Sequence, residues 1–263
     1  NLATYRWACT QPYGMILNVG PTGSGKTTTL YSGLSEVNDV AVNIMTAEDP
    51  IEYPLDGINQ MQMLKKIGLD FARALRCYMR MDPDIILVGE IRDLETAQIA
   101  VQASLTGHLV MTTLHTNDAP SSIIRLLDLG MESFLLTATI EGIVAQRLVR
   151  VICPKCKEEY EPGEEELMEL ALRPEDIKGR RIFRGRGCDN CHKTGYRGRM
   201  AIFEILGMDD EIRDLVMHEA STTQIRDYAR QQGMRMLRES GLMAIYEGQT
   251  TIDEVVRETI ADD

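Results

Sequence analysis

The sequence predicts an α/β protein in which a mainly parallel sheet is covered by helices on both faces. The first observation is the order of the elements, since short apolar runs typical of strands alternate with helical stretches along the first 150 residues. The second is a glycine-rich segment, GPTGSGKT, between a predicted strand and a predicted helix. The third is a composition of 44% hydrophobic and 26% charged residues, which argues against disordered and fibrous proteins.

Local signals place each element of this first part. A strand is predicted at 15–19, where MILNV runs directly into the glycine-rich segment. A helix follows, because Leu30, Leu34 and Val37 recur at a spacing that brings them onto one helical face. This alternation favours a parallel sheet, since parallel neighbours need a crossover connection. It continues with strands at 42–46, 84–88 and 108–114 and with helices near 70–80, 94–105, 119–128 and 133–149.

The composition changes near residue 150. Two C-x-x-C pairs enclose an acidic run and a basic run, which predicts a separate small module. Further along, MAIFEIL predicts a returning strand, and the remaining segments predict short helices separated by glycines. We therefore expect a nucleotide-binding domain at 1–150, a metal-binding module at 151–199 and a mainly helical domain at 200–263.

The charge balance limits the classes of function. With 28 Lys and Arg against 40 Asp and Glu, the formal net charge is −12, which argues against a general nucleic-acid binder. No run reaches the ~18 apolar residues of a membrane span, and the first residues lack the order of a signal peptide. Since the sequence does not begin with Met, we expect it to be a piece of a longer chain.

The glycine-rich segment fits the pattern G-x-x-x-x-G-K-[ST] of phosphate-binding loops. Gly23 and Gly25 allow a turn in which successive N–H groups face one phosphate, and the following helix adds its positive dipole end. Lys26 would reach the β and γ phosphates, and the Thr27 hydroxyl would ligate Mg²⁺. The alternative is a chance glycine turn. The predicted nucleotide-binding residues are Gly20, Pro21, Thr22, Gly23, Ser24, Gly25, Lys26, Thr27 and Thr28.

Two groups of carboxylates could serve nucleotide hydrolysis. Glu90 follows the predicted strand at 84–88, whereas Glu48, Asp49 and Glu52 follow the one at 42–46. Carboxylates with this task hold metal-bound water or activate the attacking water, usually at the end of a strand beside the loop strand. Both groups are therefore candidates for the catalytic centre, with Glu90 in the position of a general base.

The motif around Glu90 departs from its common form. Gly89 stands where that form has Asp, so we expect the metal-holding role to pass to the other carboxylate group. An alternative stays open, in which Glu90, Arg92 and Asp93 form only a solvated helix cap.

Two histidines flank the predicted strand at 108–114. A structural role is the usual one for a single histidine, but these two border one strand of a nucleotide-binding sheet. His115, which is followed by Thr116 and Asn117, is the better candidate for sensing the γ phosphate, and His108 is the weaker one.

Four of the six cysteines form close pairs. Tetrahedral zinc takes four thiolates, and a chain without a secretory signal keeps its thiols reduced, so the pairs predict a structural zinc site with a redox pair as the alternative. Cys9 and Cys77 stand alone and are expected to be inert, and His192 is not expected to be a ligand. The predicted zinc ligands are Cys153, Cys156, Cys188 and Cys191.

Several blocks, in their order, resemble the secretion-superfamily ATPases that power type II secretion and type IV pilus assembly. GPTGSGKTTTLY is similar to the family's nucleotide loop, EDPIEY to its Asp box, DPDIILVGEIRD to its second nucleotide motif and TLHTN to its histidine box. The segments AQRLVRVICPKC and CDNCHKTGYRGR are similar to its tetracysteine zinc module. The resemblance extends over nearly the whole chain.

This resemblance implies a Mg²⁺-dependent, ATP-hydrolysing homo-hexamer with a RecA-like P-loop domain at 1–150, an inserted zinc module and a helical C-terminal domain. It implies Glu90 as the general base, His115 as the nucleotide sensor, and an Asp box of Glu48, Asp49 and Glu52 near the metal and water. The zinc module favours assembly or secretion motors over pilus retraction ATPases, which lack it.

The resemblance also implies a cytoplasmic position at the inner membrane, where the motor drives a platform protein. Membrane association would be indirect, through N-terminal domains that precede this region in family members. Arginines that complete the active site cannot be chosen from the sequence; the candidates are Arg76, Arg80, Arg125 and Arg147. Two other functions stay open: a nucleic-acid-translocating RecA-like ATPase, and a nucleotide-dependent scaffold that does not hydrolyse ATP.

Overall fold

The computed structural model describes residues 2–259, which form two compact units. Unit 1 runs from the start of the chain to Ala145 and includes Ile205–Met234. Unit 2 comprises Gln146–Glu204 and the chain from Arg235 onward. These boundaries differ from the expected ones at 150 and 199, because the segment after 200 is shared between the units; the three-domain division stays a prediction.

Unit 1 holds an alternating series of strands and helices. The strands are β1 (Gly14–Val19), β2 (Ile44–Glu48), β3 (Asn59–Gln62), β4 (Ile85–Val88), β5 (Leu109–Leu114) and the first part of β6 (Ile140–Ile152). The helices are α1 (Leu2–Cys9), α2 (Lys26–Val37), α3 (Phe71–Tyr78), α4 (Leu94–Leu105), α5 (Ala119–Asp128) and α6 (Ser133–Thr139). The end of β9 (Tyr196–Gly207) and two further helices, α8 (Asp210–Met217) and α9 (Thr222–Gln231), complete the unit.

The strands form a seven-stranded sheet in the order β3-β2-β4-β5-β1-β6-β9. Each neighbouring pair from β3 to β6 is parallel, which confirms the predicted parallel-dominated α/β sheet. Strand β5 lies between β1 and β4. The expectation that the catalytic carboxylates end a strand directly beside the loop strand is therefore wrong, since β2 and β4 lie farther along the sheet.

Both faces of the sheet are covered. On one face, Ile16 and Met111 pack in a core cluster with Leu30 and Leu34 of α2 and with α1. The residues that alternate with these along the strands, such as Leu17, are equally buried and point to the opposite face. Strands β1, β2, β4 and β5 are thus buried at every position, as expected for a parallel sheet covered on both faces.

One predicted element has a different structure. Residues 133–149 were expected to form one helix, but the helix ends at Thr139 and strand β6 begins at Ile140. Gly142 and the β-branched residues Ile143 and Val144 disfavour a helix, and this part of β6 pairs in parallel with β1. A continuous apolar run fits a buried helix and a buried strand equally well, so its periodicity could not separate the two.

Unit 2 has its own core. Strands β7 (Lys157–Tyr160) and β8 (Ile182–Gly185) form an antiparallel pair, and α7 (Glu164–Glu169), α10 (Leu237–Tyr246) and α11 (Ile252–Glu258) pack with it around a cluster that includes Leu167, Ile245 and Val255. Among residues 2–259, no helix combines the length and the apolar content that a membrane span requires.

Candidate active site and metal centre

The loop predicted to bind phosphate connects β1 to α2 in unit 1. Gly23 and Gly25 have φ angles of 84° and 89°, in the left-handed region where only glycine is free of strain. The ammonium group of Lys26 donates to the carbonyl oxygens of Gly20 at 2.7 Å and Pro21 at 3.0 Å, so it lies across the mouth of the loop.

The loop contains a polar atom that fits a bound phosphate. The Ser24 hydroxyl is buried and has no hydrogen-bond partner among the residues that the structure describes. Because an unsatisfied buried hydroxyl is unfavourable, a phosphate oxygen in the loop would supply its missing partner. The loop therefore has the backbone turn, the cation and the spare donor that a nucleotide phosphate requires.

A cavity of about 90 Å³ adjoins the loop at the carboxyl ends of β2, β4 and β5. Helix α2 supplies Thr27 and Tyr31 to its wall, β5 supplies Thr113, and the two carboxylate groups that the sequence predicted supply the remaining polar side chains. Its volume is sufficient for a few water molecules. The lining residues that matter for chemistry are Thr27, Glu48, Asp49, Glu52, Glu90 and Thr113.

Glu90 lies just beyond the end of β4 and is only 8% exposed. One carboxylate oxygen is 2.5 Å from Nη2 of Arg92, and the other is 3.4 Å from Nε2 of His115. The hydrogen bond with Glu90 raises the pKa of Arg92, so the guanidinium keeps its charge. The helix-cap alternative applies to Asp93 alone, whose carboxylate accepts the backbone N–H of Thr96 at 2.8 Å.

His115 and His108 lie at opposite ends of β5. His115 is half-exposed at the carboxyl end, within reach of Glu90. Its loop is fixed by Asp118, which accepts the backbone N–H of Ser121 and pairs with Nη2 of Arg226 at 2.8 Å. By contrast, the ring of His108 is 2.8 Å from the carbonyl oxygen of Ala103 at the end of α4, a structural contact far from the loop.

The Asp box combines one buried carboxylate with two more exposed ones. Glu48 is 3% exposed and accepts hydrogen bonds from the hydroxyls of Tyr31 and Thr46 and from the amide of Gln60. Asp49 pairs with Lys65 at 3.1 Å, in a short 3₁₀ turn that precedes α3. Glu52 is exposed at the rim. The three carboxylates thus differ in their surroundings, although they lie close together in the sequence.

Sequence reasoning missed three of these partners. Tyr31 belongs to the apolar face of α2, Gln60 lies on an edge strand without a strong pattern, and Lys65 lies in a single 3₁₀ turn. Tyr31 ends the block GPTGSGKTTTLY, but neither that block nor the residues around Gln60 and Lys65 indicate a contact with the Asp box, because each of the three reaches it only through the tertiary fold. The one available signal is a polar Gln at the centre of a short strand, which is too common to be specific.

The four candidate arginines are dispersed. Arg76 pairs with Glu95 on the neighbouring helix, and Arg80 and Arg125 are exposed on unit 1. Arg147 belongs to unit 2 and is buried. None of them lines the cavity beside the loop.

The four paired cysteines converge in unit 2. Their sulfur atoms all lie within 4.8 Å of one another, with separations of 3.9 Å between Cys153 and Cys188 and 3.8 Å between Cys156 and Cys191. A tetrahedral zinc ion with Zn–S bonds of about 2.3 Å places its sulfurs about 3.8 Å apart. The observed separations therefore fit a four-thiolate zinc site.

The surroundings of the cluster also fit bound thiolates. Backbone N–H groups of Gly187, Cys188 and Gly195 point at the sulfurs of Cys156 and Cys191 over 3.2–3.3 Å. Burial raises the pKa of Cys156 to about 11, whereas for Cys191 the raising effect of burial is outweighed by these N–H donors, giving a pKa of about 6. A cation at the centre would favour the thiolate form of all four.

The chain is similar to proteins of one family along almost its whole length. The family described as "Type II/IV secretion system protein" matches residues 1–257. The type IV pilus assembly ATPase PilB of Myxococcus xanthus is 51% identical over 262 residues, which cover 99% of this chain and 46% of that protein. Type II secretion system protein E of Pseudomonas aeruginosa is 51% identical over 249 residues, covering 95% and 49%. The chain thus spans about half the length of these relatives.

Solved structures share the fold. The pilus retraction motor PilT with bound ADP superposes with a TM-score of 0.72 at 28% identity, covering 98% of this chain and 64% of that one. The ATPase DotB of Legionella pneumophila superposes with a TM-score of 0.68 at 25% identity, covering 95% and 60%. The sheet described above is therefore an arrangement found in ATPases of this type.

Proposed function

This chain belongs to the type II/IV secretion system protein family, and we propose that it is the ATP-hydrolysing part of a motor that assembles a type IV pilus or a type II secretion pseudopilus. The observation that carries this proposal is the cavity in which Thr27 of the phosphate-binding loop meets Glu90 and the Asp box. A nucleotide loop without nearby carboxylates would be consistent with a scaffold that only binds the nucleotide. Carboxylates beside the loop favour hydrolysis, because they can hold the metal ion and orient the attacking water.

The nucleotide phosphates would be held by backbone N–H groups of the glycine-rich loop, by Lys26 and by the Ser24 hydroxyl. Mg²⁺ would be held by Thr27 and, through water, by Asp49 and Glu52, and when bound it neutralises the charge that develops on the phosphates. To engage a γ phosphate, the Lys26 ammonium would exchange contacts with the carbonyl oxygens of Gly20 and Pro21 for contacts with the phosphate. The loop thus exchanges internal hydrogen bonds for ligand contacts.

Glu90 would act as the general base. Its carboxylate is held at one oxygen by Arg92 and approached at the other by His115, so it is oriented toward the cavity without being fully enclosed. In this position it can accept a proton from the attacking water. His115, half-exposed and 3.4 Å from Glu90, would contact the γ phosphate.

The names of the relatives support assembly or secretion over retraction. Proteins about half identical to this chain are named type IV pilus assembly ATPase or type II secretion system protein E. The retraction motor PilT shares only 28% of residues. The cysteine cluster, which we propose binds one structural Zn²⁺ through Cys153, Cys156, Cys188 and Cys191, agrees with the assembly class.

We further propose that the whole protein acts as a homo-hexamer on the cytoplasmic side of the inner membrane and pushes a platform protein of the pilus or secretion machine. The support is the family membership and the names of the relatives, whose other half this chain does not cover. The contacts with the platform would therefore lie mostly outside these residues.

The central test compares Glu90→Gln with Glu95→Gln in the full-length protein. Loss of the base should lower ATP hydrolysis by about a hundredfold or more while ATP binding stays within about twofold of the wild type. Glu95 is exposed on α4 and pairs with Arg76, so its substitution should leave hydrolysis near the wild-type rate.

Three outcomes would contradict parts of this proposal. Undiminished hydrolysis by the Glu90→Gln protein would remove the assignment of the base. ATP that stays bound and uncleaved in single-turnover assays of the wild type would instead favour a nucleotide-dependent scaffold. Hydrolysis that rises several-fold on addition of single-stranded DNA would favour a nucleic-acid translocase.

A further inference from the structure

Gln60 is the centre of a polar network beneath the Asp box. Its side-chain oxygen accepts the backbone N–H of Leu55 at 2.7 Å. Its amide nitrogen lies 3.2 Å from an oxygen of Glu48, 3.2 Å from the carbonyl oxygen of Tyr53 and 3.3 Å from the hydroxyl of Tyr31. One side chain on edge strand β3 thus contacts both ends of the segment that carries the box.

Tyr31 is the second junction of this network. It is almost fully buried on α2, only four residues after Thr27, and its hydroxyl donates to Glu48. The same hydroxyl accepts the backbone N–H of Glu52 at 3.4 Å, and its ring packs edge-on against Tyr53 with centroids 4.8 Å apart. Burial and the nearby Glu48 carboxylate raise the pKa of Tyr31, so it stays a donor.

Glu48 is fully engaged in this network. Its carboxylate accepts hydrogen bonds from two buried hydroxyls and from the partly buried amide of Gln60. A carboxylate with this set of donors is an anchor, whereas Asp49 and Glu52 on the same segment are more exposed. The box therefore divides into one buried anchor and two groups that face the cavity.

We propose that Gln60 and Tyr31 are positioning residues for the hydrolysis reaction, which act by holding the Asp box segment between α2 and β3. This inference rests on the proposed function, since it concerns the placement of Asp49 and Glu52 relative to Thr27. Through Gln60 the segment is fixed to the sheet, and through Tyr31 it is fixed to the helix that begins in the phosphate-binding loop. The segment then moves together with the loop, so the separation between its carboxylates and the nucleotide stays constant.

The test uses Gln60→Glu and Gln60→Met in the full-length protein. Both remove the amide donors, while Glu keeps the acceptor for Leu55. Because misplacement of catalytic groups by about 1 Å can reduce a rate about a hundredfold, kcat should fall about tenfold to a hundredfold in both variants. ADP affinity should stay within about twofold of the wild type, because Gln60 does not contact the phosphate-binding loop. The concentration of Mg²⁺ needed for the half-maximal rate should rise.

The two variants should differ in their pH profiles. The carboxylate introduced by Gln60→Glu faces Glu48 and the Tyr31 hydroxyl, with Asp49 and Glu52 nearby, so it gains a proton as the pH falls. The protonated form again donates a hydrogen bond to Glu48. Part of the lost kcat should therefore return at low pH in Gln60→Glu and not in Gln60→Met, a difference that a general loss of stability does not produce.

Gln62→Glu is the matched control. Gln62 is two residues farther along β3, on the same face of the strand but exposed, and the same substitution there should leave kcat and Mg²⁺ dependence unchanged. If the position 60 variants do not fold, Tyr31→Phe decides the matter, since it removes one buried hydroxyl and should lower kcat with unchanged ADP affinity.

Two results would overturn the inference. One is a wild-type kcat and Mg²⁺ dependence in folded Gln60→Met or Tyr31→Phe protein; the other is an equal loss of kcat in Gln62→Glu. Either result, obtained with a wild type that hydrolyses ATP and a Glu90→Gln variant that does not, would leave the proposed function intact. A wild type without hydrolysis would contradict the proposed function itself.

Discussion

Gly89, at the end of β4, packs so closely against β2 that a side chain has little room. A Cβ atom at this position would lie 3.1 Å from the carbonyl oxygen of Ala47 and 3.4 Å from both the Cα of Glu48 and the ring of Phe71. The Gly89 N–H also donates to the Ala47 carbonyl at 2.8 Å. An aspartate here would push β4 away from β2, which accounts for glycine at the place where the common motif has a carboxylate.

We therefore predict that Gly89→Ala lowers the free energy of unfolding by about 1–2 kcal/mol, since the new methyl group must displace backbone. The matched control is Gly207→Ala, because a Cβ there meets nothing within 4 Å among the described residues. The control should stay within about 0.5 kcal/mol of the wild type in urea unfolding. Equal stability of the two variants would show that the contact at Gly89 is relieved without cost.

At the scale of elements, helix α11 is fixed within unit 2 by one buried carboxylate. Glu254 is 1% exposed, and its oxygens accept from the guanidinium of Arg150 at 2.6 Å, from the Arg150 backbone N–H at 2.9 Å and from Arg257 at 2.9 Å. The Arg150 guanidinium also stacks on the ring of Tyr196 at 4.1 Å. Strand β6, strand β9 and α11 therefore meet at one charged centre.

This centre predicts a pH dependence of stability. Burial alone would raise the pKa of Glu254, but the hydrogen bonds from Arg150 lower it below the ordinary value. A carboxylate with a lowered folded-state pKa stabilises the fold above its unfolded pKa of about 4.3 and loses that contribution as the pH falls further. Glu254→Gln should thus cost about 2 kcal/mol at pH 7, and the gap to the wild type should close below about pH 4.

Thermal unfolding of the two proteins across this pH range provides the measurement. Asp253→Asn is the control, since Asp253 is the exposed neighbour on the same helix and should change stability little at any pH. A gap between wild type and Glu254→Gln that stays constant down to pH 3 would contradict the assigned role of the ion pair.

At the scale of the whole molecule, the two chemical centres belong to different compact units. The phosphate-binding loop and its carboxylates lie in unit 1, and the four cysteines lie in unit 2, where Gly185 and Gly195 approach so closely that a Cβ at Gly185 would lie 2.0 Å from the Gly195 carbonyl oxygen. The cluster around the four cysteines consists of the cysteines themselves and is separate from the apolar core of unit 2. Metal binding is the expected source of its stability.

We predict about one zinc ion per chain, lost on Cys191→Ser together with part of the thermal stability. ADP binding should persist, because the phosphate-binding loop is built only from unit 1. Cys77→Ser is the control, since that exposed thiol lies outside the cluster and should leave the zinc content unchanged. Zinc content that is equal in wild type and Cys191→Ser, measured by elemental analysis, would contradict the metal site.

Much of the fold and part of the site follow from the sequence alone. The sequence predicts the glycine loop between β1 and α2, the alternating strands and helices and the paired cysteines because each depends on neighbours in the chain: a glycine turn before a helix, a short apolar run, a fixed spacing of thiols. The extents of α4 and α5 agree with the predicted 94–105 and 119–128 because apolar spacing and an Asp cap mark both helices locally.

Other features were decided only by tertiary structure. The strand order placed β5 between β1 and β4, the partner strand β1 decided that residues from Ile140 form a strand, and the fold brought Tyr31, Gln60 and Lys65 to the Asp box. These outcomes depend on which distant segments share a buried face. Local propensity does not predict such contacts, because the free energy that selects them comes from burial and hydrogen bonding between residues far apart in the chain.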